Sequence, residues 1–408
     1  MKRLLVVLVC VLLTLVVVAK YDAELSDSAR ALLDQAKSDG DSPAYLYALG
    51  LAAGEEEEPP ALGRRLLNHY HTVAPEDFYE DSVYGEAGRL ALPENELFCT
   101  DLDRHCLRAI FTSDYDVDML VAEHRTLVDR IERFHAFDEF ETLAEPSVHM
   151  PFLPFTHIAR AERLRTLVAV SLFRAGDAGK AVELLLDQAG QIRRAMALQD
   201  NLIGKMIFMS KLSDTIDVAS IVITEANIPI DPVSTLDLSE KSFDEVMAME
   251  FVFAQSIALD LLRDPEAYEE NESAPAWLFR MFYKPNMSMN ALTPLYYRAQ
   301  DLARLSPADF AREMEDASSK KYSSVPGINY FGNQFLADPP FFEQYIGRMM
   351  DLDAKLSLFN QLYHLKRDAA DIDNPYYPGE APILSEDRLC FRGPLEDDRG
   401  RRCVRTGF

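Results

Sequence analysis

Apolar residues recur at three- and four-residue steps along most of this chain, a period that packed helices satisfy and strands do not. In "VDMLVAEHRTLVDRIERFHAF", Val117, Leu120, Val121, His124, Leu127, Val128, Ile131 and Phe134 share one face, so the spacing predicts one helix there. "THIARAERLRTLVAVSLFRAG" carries the period onward from a Thr156 N-cap. Gly176 stops it and Asp177 starts "DAGKAVELLLDQAGQIRRAMAL". So short a break between two amphipathic helices implies an antiparallel hairpin.

Other starts are as legible. Ser242 with Glu245 reads as a capping box before "EVMAMEFVFAQSIALDLLR". Ser306, Pro307 and Asp309 place a cap, a first-turn proline and an acid in order. "DPPFFEQYIGRMMDLDAKLSLFNQLYHLKRDA" is the last long helical pattern, and strand-like alternation is scarce until "APILSEDRLCFRG". The fold expected is all-α: an irregular array of antiparallel helical hairpins with a small C-terminal β-hairpin. "SLFRAGDAGKAVELL" resembles a tetratricopeptide-type helix-turn-helix with small residues at its close crossing. No second copy recurs at a period of about 34 residues, so a regular solenoid is not expected.

The chain opens on "RLLVVLVCVLLTLVVVAK", uncharged from Leu4 to Ala19, behind Lys2 and Arg3 and closed by Lys20. As a helix this run is about 24 Å long, between the lengths of a signal-peptide core and a spanning segment. No Gly or Pro breaks it before a cleavage site, and Val17 is large for such a site. We therefore expect an uncleaved, single-pass inner-membrane helix over residues 4–19, with Arg3 and Lys20 at its interfaces. Cleavage and release to the periplasm is the alternative. The basic start stays cytoplasmic, so the rest is translocated as a periplasmic ectodomain. Cys10, mid-run and behind Val9, reads as a small apolar residue rather than a lipidation site.

With 67 Asp+Glu against 41 Lys+Arg, the formal net charge is −26. Such a surface repels phosphates, which argues against nucleic acid and against broad contact with anionic headgroups. Cys99, Cys106, Cys390 and Cys403 lie beyond the leader, and an even count in a translocated chain reads as two disulfides. Turn-forming residues between the members of each local pair favour Cys99–Cys106 and Cys390–Cys403. A zinc site from His69, His71 and His105 lacks the usual ligand spacing.

Soft boundaries suggest segments 1–20, 21–145, 146–370 and 371–408: leader, N-terminal helical part, main helical part and disulfide-linked tail. "AEPSVHMPFLPF" separates the second from the third, and residues 318–340 form the longest stretch without helical period. The 146–157 and 318–340 loops are the expected walls of a contact groove.

Chemistry is sparse. The strings for acyl transfer, zinc proteolysis, phosphate cradling and dinucleotide binding are absent, so no cofactor and no metal is expected. Ser318 and Lys321 match Ser-x-x-Lys without its companion elements. Asp114, Asp116 and Asp118 fail a calcium loop at Met119 and Arg125 and read instead as an acidic helix start. His149 and His157 flank the "MPFLPFT" loop near Glu162, and Lys205 lies in the apolar "NLIGKMIFMSKLSD" with Asp214 and Asp217 further down. These are the acid–base candidates of an envelope hydrolase acting on peptidoglycan or lipid. Lys284, Asn286 and Asn290 in "FYKPNMSMN", with Asn329 and Asn333, are binding candidates. A buried lysine must pair or lose its proton.

"NLIGKMIFMSKLSD", "FYKPNMSMN", "RAGDAGKA" and the "NPYYPG…LCFRGP" tail resemble those of an uncharacterised group of exported helical proteins from Gram-negative bacteria. The resemblance implies an envelope-facing protein and no particular activity. The function expected is a membrane-anchored periplasmic module that binds or scaffolds an envelope protein partner, with hydrolysis as the alternative.

Overall fold

The computed structural model describes residues 20–37, 40–74, 77–86, 88–264, 275–316, 327–337, 339–362, 373–385 and 387–407, with isolated positions before residue 20. Residues 4–19, expected to cross the membrane, lie mostly outside the described residues. Among the described residues no helix is long and apolar enough to cross a membrane.

Short helices come first: α1 (Asp27–Gln35), α2 (Pro43–Leu49), α3 (Pro59–Thr72) and α4 (Asp81–Tyr84). Ser26 and Ser42 cap the first two through the amides of Ala29 and Tyr45. α2 and α3 pack closely because Gly50 and Gly63 have no Cβ; one added to either would strike the backbone of Pro59 or of Leu46. The close crossing expected at "RAGDAGKA" is thus found here instead. Gly179 has open space around it, and Gly176 serves only its turn, at φ 91°.

α5 (Arg104–Thr112) is capped by Asp103. The single helix expected from Val117 is two, α6 (Val117–Glu123) and α7 (Arg125–Phe134), because His124 leaves helical geometry at φ −110° and ψ 28°. Asp116 caps α6 through the Met119 amide, the role read from the acidic cluster. α8 (Phe155–Arg174) and α9 (Ala178–Ala197) form the expected hairpin, with Asp177 capping the second. Thr156 is not the cap of α8. Pro154 holds that place, its carbonyl accepting from the amides of His157 and Ile158.

α10 (Leu202–Ala226) runs for 25 residues and ends on Asn227 in the left-handed region at φ 54°. α11 (Leu238–Lys241), α12 (Asp244–Arg263), α13 (Ala276–Phe282), α14 (Pro285–Ala303), α15 (Pro307–Asp316), α16 (Tyr330–Leu336) and α17 (Glu343–Phe359) follow. The capping box belongs to Asp237 and Glu240, not to Ser242 and Glu245. Ser242 ends α11 and leaves Phe243 at the start of α12. Ser306 caps α15 as expected, accepting the Asp309 amide at 3.1 Å. The 318–340 stretch is not all irregular, since its later part forms α16. Residues 317–326, including Ser318 and Lys321, and residues 363–372 lie outside the described residues.

The tail forms a sheet of β1 (Ile383–Ser385), β2 (Arg388–Cys390) and β3 (Cys403–Arg405) in that order, both pairings antiparallel. The expected hairpin therefore gains a third strand. Leu389 faces Val404 and Cys390 faces Cys403, so the disulfide spans directly opposed positions. α10 is the hub of the fold, with α8, α9, α12, α17 and β3 packed around it. One contiguous apolar core extends from Ala29 to Val404.

Candidate functional site

Two cavities open side by side where α8 and α10 pass the 98–106 loop and the tail sheet, and they share Thr100 and Ser210. The first, about 310 Å³, is walled by Phe98, Phe155, Ala159 and Ile207, with Arg160 and Arg163. The second, about 300 Å³, is polar. Its walls are the 100–103 loop, Ser213, Asp214 and Asp217 of α10, and Arg388, Arg399, Arg401 and Arg405 of the tail.

Both disulfides shape these walls. Cys99–Cys106 closes the loop with Cα atoms 6.1 Å apart, and Cys390–Cys403 closes the arginine-bearing tail at 4.0 Å. Within that tail Asp397 accepts the amides of Arg401 at 2.8 Å and Arg402 at 3.1 Å, and Gly400 turns the chain at φ 67°. A net charge of −26 makes the arginine density of residues 388–405 stand out.

Most charges in the polar cavity are answered from within the protein. Arg405 donates to Asp387 at 2.6 Å and to the Leu102 carbonyl at 3.0 Å. Arg399 pairs with Asp101 at 3.3 Å and Lys211 with Asp214 at 2.6 Å. Lys355, fully buried behind the wall, lies 2.8 Å from Asp217 and donates to Ser213 Oγ at 2.8 Å. Burial pushes the Lys355 ammonium down and the Asp217 carboxyl up, against their mutual attraction. Burial also opposes ionisation of Asp214, but Lys211 and Arg163 outweigh it and hold that carboxyl below its usual range.

Two guanidiniums stand apart. Among the described residues, the side chains of Arg388 and Arg401 make no hydrogen bond or ion pair. Burial pushes the Arg401 guanidinium down, with Arg348 and Arg399 adding to the shift and the Asp214 and Asp397 carboxylates opposing it from beyond hydrogen-bond distance. Among the described residues two lining carboxylates make no ion pair, Asp398 and the α5 cap Asp103, and both are exposed.

The acid–base candidates do not converge. His149 is exposed, its amide bonded to Ser147 Oγ. His157 is buried, its Nε2 lies 3.0 Å from the Leu90 carbonyl, and burial pushes its pKa down. Glu162 is buried against His135 Nε2, Arg165 at 3.2 Å and Gln188 at 2.8 Å. Burial disfavours its charge, but His135 and Arg165 overcome that and hold it below the usual carboxylate range. Lys205 is buried with its ammonium 5.6 Å from the centre of the Phe243 ring, and burial brings it to about 8, against Glu245 and Glu240.

Four of the five binding candidates gather around the start of α14, where the three asparagines among them satisfy backbone groups. Asn286 donates to the Ala23 carbonyl at 2.9 Å, while Asp22 accepts the Asn286 and Met287 amides. Asn290 accepts the Ser26 amide at 2.8 Å and donates to the Glu24 carbonyl at 2.9 Å. Asn329 is fully buried, accepts the Lys284 amide at 2.7 Å and donates to Ser288 at 3.0 Å. Lys284 is buried, which pushes its pKa down against Asp22. Asn333, half-buried, sits one turn on in α16.

Sequence reasoning passed over Arg388, Arg401 and Lys355. The available signal was a run of arginines between two cysteines in an acidic chain. Among the described residues, no group of three or more His, Cys, Asp and Glu could hold a metal ion. Compared with known proteins, the chain matches no family model, no curated protein and no solved structure.

Proposed function

We propose that this chain is an inner-membrane-anchored, periplasm-facing helical protein that binds or scaffolds an envelope partner. The observation that carries this reading is the polar cavity beneath the two disulfides, where, among the described residues, the Arg388 and Arg401 side chains make no hydrogen bond or ion pair while the acid–base candidates are dispersed. Unanswered charge beside an open cavity suits recognition, and scattered, internally bonded acids and bases do not suit turnover. The apolar run at residues 4–19 supports anchoring, and the two disulfides support an oxidising compartment.

The test uses the full chain in a Gram-negative envelope. Carbonate extraction should leave it in the membrane pellet at full mass, and protease added from the periplasmic side should digest it. A photo-crosslinking residue at position 399 should give a discrete protein adduct. Release of a shortened form argues for a cleaved leader. Turnover of peptidoglycan or lipid by the purified chain would favour the hydrolase instead.

A further inference from the structure

We propose that the paired cavities take one amphipathic organic anion, its carboxylate or phosphate on Arg388 and Arg401 and its apolar part against Phe98, Phe155 and Ile207. This rests on the binding reading above and names the ligand class of that site.

The charge accounting points to an anion. Asp101 is taken by Arg399, Asp214 by Lys211 and Asp217 by Lys355, whereas Asp103 caps α5. Among the described residues that leaves two guanidiniums, Arg388 and Arg401, with no hydrogen bond or ion pair, while the carboxylates without a cationic partner, Asp398 and the helix-capping Asp103, are exposed to solvent. A partly buried guanidinium without an acceptor carries an uncompensated desolvation cost, which a bound anion removes. The planar fork of arginine matches carboxylate and phosphate oxygens two at a time.

The neighbouring cavity supplies the rest of the ligand. It shares Thr100 and Ser210 as wall residues with the polar one and is walled mainly by aromatic and aliphatic groups. Arg163, at its edge, is buried, and among the described residues its side-chain hydrogen-bond partners are the disulfide sulfurs, 3.5 Å away at Cys106 Sγ and 3.9 Å at Cys99 Sγ. Each cavity alone is at the small end of ligand sites, and the two together suit a headgroup with a short apolar body. Because both disulfides hold the walls, reduction should empty the site.

The test is calorimetric titration of the full chain in phosphatidylcholine nanodiscs with hexanoate, hexyl phosphate, inorganic phosphate, hexanol and hexylammonium. Hexanoate and hexyl phosphate should bind at least about tenfold more tightly than inorganic phosphate or hexanol, since each of the latter lacks one half of the fit. The double variant Arg388→Ala/Arg401→Ala should weaken hexanoate about tenfold or more and leave hexanol unchanged. Arg388→Lys/Arg401→Lys, which keeps the charge and loses the fork, should fall between. Hexanol binding as well as hexanoate, hexylammonium binding best, or an unaltered affinity in a double variant of native melting temperature would each overturn the proposal. Phosphatidylglycerol in the disc that displaces hexanoate supports a lipid source for the anion, and failure to displace it supports a free solute. A blank titration leaves anchoring and the protein adduct at position 399 intact, so the two readings fail separately.

Discussion

Lys355 Nζ sits 2.8 Å from the Asp217 carboxylate, a buried ion pair that ties α17 to the central helix α10. Removing one member of such a pair strands the other in low dielectric and typically costs about 3–5 kcal/mol. Lys355→Met should therefore lower unfolding stability by about that amount in urea titrations. Adding Asp217→Asn should restore more than half of the loss. Simple addition of the two penalties would show that the groups do not interact.

Asn290 and Asn286 strap residues 23–26 onto α14 through Ser26, Glu24 and Ala23. Asn290→Ala deletes two bonds and should cost about 1–2 kcal/mol. Hydrogen exchange should show the amides of residues 23–26 opening first, with the α8–α9 hairpin unaffected. Uniform loss of protection would mean that the strap and the core unfold as one unit.

Glu250 has its pKa pushed up to about 7 by burial, against the Leu202 amide that donates to it. The folded protein keeps that proton to about pH 7 while the unfolded chain releases it near 4.5, so the folded state binds more protons in between. Stability consequently falls as pH rises through that window, by about 3 kcal/mol in all. Glu250→Gln should match the wild type near pH 4.5 and become relatively more stable up to pH 7, then hold its margin. Lys205, brought down to about 8 from 10.5, acts in the other window. Its wild-type contribution improves as pH rises from 8 to 10.5, so the relative gain of Lys205→Met should shrink there. Melting temperatures across pH 4–11 check both.

Cys390–Cys403 spans 13 positions and Cys99–Cys106 spans 7. Loop-closure entropy gives stabilisations of about 3 and about 2.5 kcal/mol. Iodoacetamide under denaturing, non-reducing conditions should label Cys10 and none of the other four cysteines. Cys390→Ser/Cys403→Ser should lower stability by about 3 kcal/mol and loosen the arginines carried by that loop. Free thiols at all five positions would rule out both bridges.

Local signals carried far in this chain. The α8–α9 hairpin follows from Gly176 and Asp177, α15 from Ser306 and Pro307, and the disulfide pairing from short spacings with turn residues inside them. Each depends on neighbours within a few residues, which period and capping chemistry can read. Boundaries failed where a competing local group stood close by, as Pro154 displaced Thr156 and Asp237 displaced Ser242.

What tertiary structure alone decided are the meetings between distant positions. The sequence established a helical, acidic, disulfide-bearing chain and pointed to Lys205, Glu162 and the asparagines as polar groups near apolar stretches. Packing turned Glu162 into a partner of His135, and Asn286 and Asn290 into backbone clasps. It also brought Lys355 to Asp217 and set the tail's Arg388 and Arg401 beside a cavity on α10. A side chain's charge is written in the sequence, but whether that charge is answered depends on three-dimensional neighbours whose separation along the chain carries no periodic signal.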